Sequence, residues 1–326
     1  MALPVLIDTD PGIDDALALI FALRSEELSV EAITTVAGNV PVELTTRNAL
    51  RILTLLSIPG ALPVARGAPA PLTRSLVSAS HVHGDDGLGN IDRLRTPDGS
   101  PLYPEPTVEL VPHDGAGLIL ETIRRWPDEL TVIALGPLTN LAIALQRDPA
   151  IMRKVREVVI MGGAIAVPGN VSPVAEFNFY VDPEAAHRVL AAGLPIRLVP
   201  LDVTQQVILR RDRIERRMAG RRDPVSRFVW AMARAGLEFA QKAEGLDGLV
   251  LHDPLAVAVA LDPSLMSARE LFVDVETEGV LTRGMAVADR RFPSRAQTAL
   301  NCQVAMTVAA DRVLAKLLER LCPESA

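Results

Sequence analysis

Apolar residues recur along the chain in two alternating rhythms. Continuous runs rich in Val, Ile and Leu occupy 4–8, 30–36, 130–135, 157–161 and 196–201. Between them, at 14–23, 42–56, 115–126, 138–147 and 183–192, apolar positions return every three to four residues. A short unbroken apolar run reads as a strand covered on both faces, and the longer period reads as a helix. Their alternation predicts βαβ units. The expected fold is α/β, with a single open, mostly parallel (mixed) sheet carrying helices on both faces, Rossmann-like in plan, and a closing helix at 310–321.

Three stretches depart from this rhythm. The segment 60–112 is rich in Pro, Gly, Ser and Asp and is longer than an ordinary connection, so 67–112 is expected to be a lid-like active-site loop. Residues 210–244 show two helical patterns separated at 220–224, within an expected helical insertion at 210–250. Residues 270–275 and 281–287 predict an antiparallel hairpin turned at Glu278-Gly279. No flexible linker divides these pieces, which favours one domain over 1–326 with insertions.

Composition narrows the class. With 326 residues, 49% of them hydrophobic, the chain can bury a large core. Lys and Arg number 33 against 40 Asp and Glu, a net charge of -7, so a nucleic-acid partner is not expected. The one basic concentration, Arg210 to Arg222, is interleaved with Asp212, Glu215 and Asp223 and reads as a solvated helix laced with ion pairs. No apolar run approaches the roughly 18 residues of a membrane span, and the first residues have no cationic and apolar leader. The expected location is the cytoplasm. Cys302 and Cys322 have neither disulfide-framework nor metal-ligand spacing and are expected to be reduced.

The chemistry gathers near the start. Ile7-Asp8-Thr9-Asp10-Pro11-Gly12-Ile13-Asp14-Asp15-Ala16 sets four carboxylates within eight residues, after a strand and at the opening of a helix. The positive end of the helix dipole offsets only about 0.3–1 kcal/mol per acid. A hard divalent cation such as Ca2+, which takes six to eight oxygen ligands, compensates such crowding better. Pro11-Gly12 bends the chain so that Asp10, Asp14 and Asp15 can face one point. An Asp-x-Asp after a first strand also suits an aspartyl-phosphate phosphatase or phosphotransferase with Asp8 as nucleophile, although Pro11-Gly12 is foreign to that pattern.

The motif Asp8-Thr9-Asp10-Pro11-Gly12-Ile13-Asp14-Asp15-Ala16 closely resembles the N-terminal signature of the inosine/uridine-preferring nucleoside hydrolases. Further matches follow in the family's order: Thr35 to Val40, His83 to Leu88, Leu135 to Asn140, Met161-Gly162-Gly163, Asn170 with Glu176-Phe177-Asn178, Asp182 to Ala186, and His252-Asp253. The resemblance covers nearly the whole chain. It implies hydrolysis of the N-glycosidic bond of ribonucleosides to free nucleobase and ribose, through an oxocarbenium-like transition state, by a Ca2+-bound water activated by Asp10. It assigns Asp10, Asp15, the Leu135 carbonyl and Asp253 to the cation, and Asp14, Asn39, Asn170, Glu176 and Asn178 to the ribose hydroxyls. Met161 would pack near the sugar, His83 would sit in the loop near the base, and His252, titrating near neutrality, would be the leaving-group acid in the purine-cleaving members. A non-catalytic calcium-dependent nucleoside or ribose binder on the same fold is the alternative. The family habit is a homodimer or homotetramer.

Independently of the family, Asp10, Asn39, Leu135, Asn140, Met161 and Asp202 all follow expected strands. They thus belong to the carboxyl edge where open α/β sheets bind ligands. Base preference stays open between purine and pyrimidine. With only 3% aromatics, an extensive stacking cage is not expected; Phe228, Trp230 and Phe239 are the nearest aromatic candidates, with Glu238 and Gln241 as hydrogen-bonding ones.

Overall fold

The computed structural model describes residues 2–58, 62–103, 105–106, 108–291 and 299–322. Twelve strands are assigned among them: β1 (Leu3–Thr9), β2 (Leu28–Thr35), β3 (Val64–Arg66), β4 (Thr131–Ala134), β5 (Glu157–Met161), β6 (Ile196–Val199), β7 (Ile208–Arg210), β8 (Gly248–Val250), β9 (Met266–Leu271), β10 (Val273–Val275), β11 (Ala286–Ala288) and β12 (Cys302–Val308). Eight form one sheet in the order β3-β2-β1-β4-β5-β6-β12-β9. All neighbours run parallel except β12 and β9. This is the open, mostly parallel sheet that the apolar rhythm predicts.

Successive side chains of a strand point to opposite faces, and each inner strand here is apolar on both. Val5 and Ile7 join one buried cluster while Leu6 joins the other; Ile133 parts in the same way from Val132 and Ala134, and Val159 from Val158 and Ile160. Two hydrophobic layers therefore sandwich the sheet. The helix Ile13–Leu23 is apolar almost all round, and Ala16 to Ala22 are at most 1% exposed. It packs against the helices His252–Leu261 and Ala310–Leu321.

The strand order reverses between β1 and β4, since the chain steps outward from β1 to β2 and β3 and later from β4 to β5 and β6. A crevice at the carboxyl ends of strands is the usual consequence of such a reversal. Asp10 follows β1 at that point and Leu135 follows β4.

Some expectations change. The 60–112 stretch, of which 60, 61, 104 and 107 lie outside the described residues, is not wholly loop: Val64–Arg66 adds strand β3 to β2. Three residues are too few for a pattern to announce itself. The expected hairpin is redistributed. Residues 266–271 pair with β12 at the sheet edge, and the hairpin shrinks to β10 and β11, an antiparallel pair joined by 276–285. The helices Arg211–Met218 and Pro224–Ala243 are as expected, and β7 pairs with β8 across their base. Arg216 meets Asp212 at 2.9 Å and Arg211 meets Asp247 at 2.7 Å, as an ion-paired surface helix requires. Cys302 and Cys322 are free and buried. No described helix is long and apolar enough to cross a membrane.

Asn140 ties the segments nearest the crevice. Its Oδ1 accepts from the Ala68 N–H at 2.9 Å, and its Nδ2 donates to Asp8 Oδ1 at 2.7 Å and to the Thr35 carbonyl at 2.9 Å. Asn140→Ala strands these buried groups, so urea unfolding should show a loss of about 3 kcal/mol. A loss below about 1 kcal/mol would mean that the segments hold without it.

Candidate active site

The acidic motif folds as a strand, a bend and a helix start, and its carboxylates diverge at once. Asp8, still within β1, points into the core: Thr34 Oγ1 donates to its Oδ1 at 2.5 Å, and its Oδ2 has no partner among the described residues. Burial pushes this carboxyl up to about 7, with the Thr34 and Asn140 hydrogen bonds opposing. Asp8 is fully enclosed and so unavailable as a phosphatase-type nucleophile.

Asp10, past the strand, is 1% exposed and lies between two glycines. A methyl group on Gly38 or Gly136 would collide with its carboxylate oxygens, so glycine at both positions is a steric requirement. The Asn39 N–H donates to Asp10 Oδ2 at 2.7 Å. Asn39 also uses its side chain, donating from Nδ2 to the Asp10 carbonyl at 3.1 Å and to Asp15 Oδ2 at 3.0 Å. Asp15 further accepts from Thr9 Oγ1 at 2.6 Å and from the Gly12 N–H at 3.0 Å. Asn39 is therefore first a clamp on the acids.

Asp14, Asp15 and Asp253 bring one carboxylate oxygen each to within 4.8 Å of one another. Asp253 comes from the opening of the helix His252–Leu261, directly beside the first turn of Ile13–Leu23. Burial raises the Asp253 carboxyl well above the usual range, and Asp14, Asp15 and Asp10 add repulsion. Burial raises Asp10 likewise, with Asp15 the next cause.

Over this acidic floor opens a cavity of about 690 Å³, within the range of small-molecule sites. Asp14, Asn39, His83, Leu135, Met161, Asn170, Glu176, Asn178, His252 and Asp253 all line it, so the structure brings together residues scattered over some 240 positions. Asp10 and Asp15 support the floor from behind. Asn178 Nδ2 donates to the Leu135 carbonyl at 2.7 Å and to the Met161 carbonyl at 3.2 Å, joining the ends of β4 and β5. Glu176 caps the helix Phe177–Val181, accepting from the N–H groups of Asn178, Phe179 and Gly163, and burial pushes it up to about 7. Asn170, at the exposed mouth, accepts from the Phe177 N–H at 2.9 Å.

Three imidazoles line the cavity, those of His81, His83 and His252, and the last two have hydrogen-bond partners on the ring. His83 Nδ1 accepts from the Ile13 N–H at 3.0 Å, which leaves the ring's hydrogen on Nε2; burial lowers its pKa to about 4. His252 Nδ1 lies 2.8 Å from Thr204 Oγ1. Burial lowers the His252 pKa as well, against the pull of Asp14, which corrects the expectation of a ring titrating near neutrality.

Other motif residues prove to be struts. Asp86 accepts from the N–H groups of Leu88, Asn90 and Asp92, which pins the turn after His83 where Gly84 and Gly87 take positive φ. Asp182 binds Leu72 N–H and Thr139 Oγ1. Asp202 lies outside the cavity lining and holds the N–H groups of Ile165 and Ala166. Of the aromatic candidates only Phe239 lines the cavity, with His81 edge-on to it at 6.2 Å. Phe228 is fully buried against Tyr103, and Trp230 borders a separate surface depression. Neither Glu238 nor Gln241 lines the cavity; Gln205 and Glu244 do. Gln205 and Thr204 escape the sequence reading, although they stand just past the same strand end that drew attention to Asp202.

A sunken acidic centre at the switch point of an open α/β sheet, opening into a ligand-sized cavity, defines a small-molecule enzyme of that class. Comparison with known proteins then supplies the family. Residues 5–315 match the inosine-uridine preferring nucleoside hydrolases. The chain is 44% identical over 294 residues to the pyrimidine-specific ribonucleoside hydrolase RihA of Citrobacter koseri, covering 90% of each. Its structure is similar to the plant nucleoside hydrolase PpNRh1, with a TM-score of 0.89 at 34% identity over 99% of each chain. It is also similar to the purine-preferring ribonucleoside hydrolase from Gardnerella vaginalis, at 0.87 and 31% over 98% of each. The chain belongs to the inosine-uridine preferring nucleoside hydrolase family, hydrolases acting on N-ribosyl bonds.

Two outcomes follow from the floor's geometry. Gly38→Ala or Gly136→Ala, each displacing the Asp10 carboxylate, should cut turnover at least about tenfold, since misplacement by an ångström is costly; wild-type rates in both variants would refute the steric account. Asp8, raised by burial to about 7, keeps a proton on folding that the unfolded chain releases near pH 4. Its stabilising contribution is therefore complete below about pH 4 and lost as pH rises through about 7. Denaturation of the wild type and Asp8→Asn at several pH values should show a flatter profile in the variant.

Proposed function

We propose that the protein hydrolyses the N-glycosidic bond of ribonucleosides, releasing nucleobase and ribose, with Asp10 as the base that takes a proton from the attacking water. The observation that carries this reading is the meeting of four carboxylates, those of Asp10, Asp14, Asp15 and Asp253, beneath a cavity lined by the imidazoles of His83 and His252.

The floor has the chemistry of a hard-cation site. Three buried or half-buried carboxylates approach within 4.8 Å, and mutual repulsion raises the pKa of Asp253, an arrangement a bound positive charge would relieve. We assign Asp10, Asp15, Asp253 and the Leu135 carbonyl to Ca2+, with Asp14 close enough to turn towards the sugar. When bound, the ion would offset the carboxylate charge, take hold of a vicinal diol and make an adjacent water more acidic.

The remaining steps belong to the protein's own side chains. Asp14, Asn39, Asn170, Glu176 and Asn178 would hold the ribose hydroxyls, and Met161 would pack against the ring. As the bond to the base lengthens, positive charge develops on the ribosyl ring, and the surrounding carboxylates and amide oxygens give it a negative environment. His252 would direct its Nε2 hydrogen to the departing base, and His83 would contact the base from the other wall. The segment 67–112, which carries His81 and His83, would act as the lid that sheds water.

Inosine, adenosine, uridine and cytidine, each assayed with and without chelator, test the reading. Turnover of at least one, abolished by chelator and restored by Ca2+, is expected. Asp10→Ala should lower kcat by about 10³-fold, the scale of a lost general base. Full turnover in that variant would remove the assignment of the base, and tight nucleoside binding with no hydrolysis would mark a binding protein instead.

A further inference from the structure

Thr204 ends the short helix Leu201–Thr204 that follows β6, and it is fully buried. Its backbone N–H bonds to the Pro200 carbonyl at 3.1 Å. Its hydroxyl has one hydrogen-bond partner among the described residues, His252 Nδ1 at 2.8 Å. A buried hydroxyl with a single partner must direct its hydrogen there, because the alternative is an O–H with no acceptor. The ring nitrogen that receives it cannot itself carry hydrogen. The hydrogen of the neutral imidazole then sits on Nε2, the nitrogen left to the cavity that His252 lines.

His83 reaches the same state by a different route. There the donor is the Ile13 backbone N–H, which can only donate, so its Nδ1 is an acceptor and its Nε2 carries the hydrogen. His83 and His252 thus both have Nδ1 occupied by a fixed donor. These two rings present N–H groups, not lone pairs, to whatever lies between them.

We propose that Thr204 is a positioning residue for base departure: its hydroxyl fixes the His252 ring and keeps the ring hydrogen on Nε2, which offers a hydrogen bond to the negative charge developing on the leaving base while the proton stays on the ring. Thr204 acts only through His252, so the proposal rests on the reading of His252 given above. Without the hydroxyl, rotation of the ring and the other tautomer both become accessible, and the base meets a donor for only part of the time.

Thr204→Val keeps the branched shape and removes the hydroxyl; Thr204→Ala is a second hydroxyl-free variant should Val pack poorly. For the best ribonucleoside substrate, kcat should fall about tenfold, the scale of one lost hydrogen bond, with KM nearly unchanged. Thr204→Ser, which keeps the hydroxyl, should recover most of the rate. A 4-nitrophenyl riboside, whose leaving group departs without a proton, should be largely spared. Combining Thr204→Val with His252→Ala should be no slower than His252→Ala alone. Ring nitrogen shifts of labelled histidine should report the Nε2–H form in the wild type and a mixture in Thr204→Val. A Thr204→Val enzyme as fast as wild type, alongside a slow His252→Ala, would overturn the role of Thr204 alone. Equal losses in the Ser and Val variants would overturn it in favour of packing. Undiminished turnover in His252→Ala would remove both the reading of His252 and the role proposed for Thr204.

Discussion

Like charges held out of water a few ångströms apart govern the architecture of this protein. Asp10, Asp15 and Asp253 are at most 3% exposed, and each carboxyl is driven up first by burial and then by a neighbouring carboxylate, Asp15 in the case of Asp10 and Asp14 in the case of Asp15 and Asp253. Neighbouring groups are arranged around that difficulty. Gly38 and Gly136 leave room for Asp10, Asn39 bridges Asp10 and Asp15, and the Gly12 N–H and Thr9 hydroxyl also serve Asp15. Such a concentration is tolerable only where strand ends and helix starts aim N–H groups inward, as they do at the reversal of strand order.

The sheet beneath was largely legible in the chain because its strands are apolar on both faces. A two-sided burial pattern leaves little freedom of interpretation, and 157–161 is correct to the residue; so is the helix 310–321, whose apolar positions recur every three to four residues. The acidic motif was legible for a related reason, as crowded charge has few structural explanations. The three-residue strand β3 and the pairing of 266–271 with β12 were not, since both depend on partners remote in sequence. The cavity walls were legible only in part. Phe239 could be picked from a helix but not separated from Phe228 and Trp230, because which face of that helix meets the cavity is decided by packing against other elements.

Residues sharing a motif also turn out to have different duties. Asp86 stands three residues after His83, yet Asp86 staples a turn while His83 reaches the cavity. Asp8 and Asp10 are two residues apart, a spacing that would set both on one face of a continuous strand, but β1 ends at Thr9, and one is core while the other is floor. Spacing tells that such residues cluster; only the fold tells which of them meets a ligand.

The cavity is assembled from two kinds of material. Its floor comes from ends of central strands locked into the sheet, whereas its far side comes from 79–83, Gln205, and the stretch from Gly236 to Leu249 that ends the long helix and leads into β8. Exchanges along that far side leave the sheet and its acids undisturbed. A lineage can therefore redraw the outer half of the cavity while inheriting the inner half intact, which is how one scaffold comes to serve relatives of unlike selectivity.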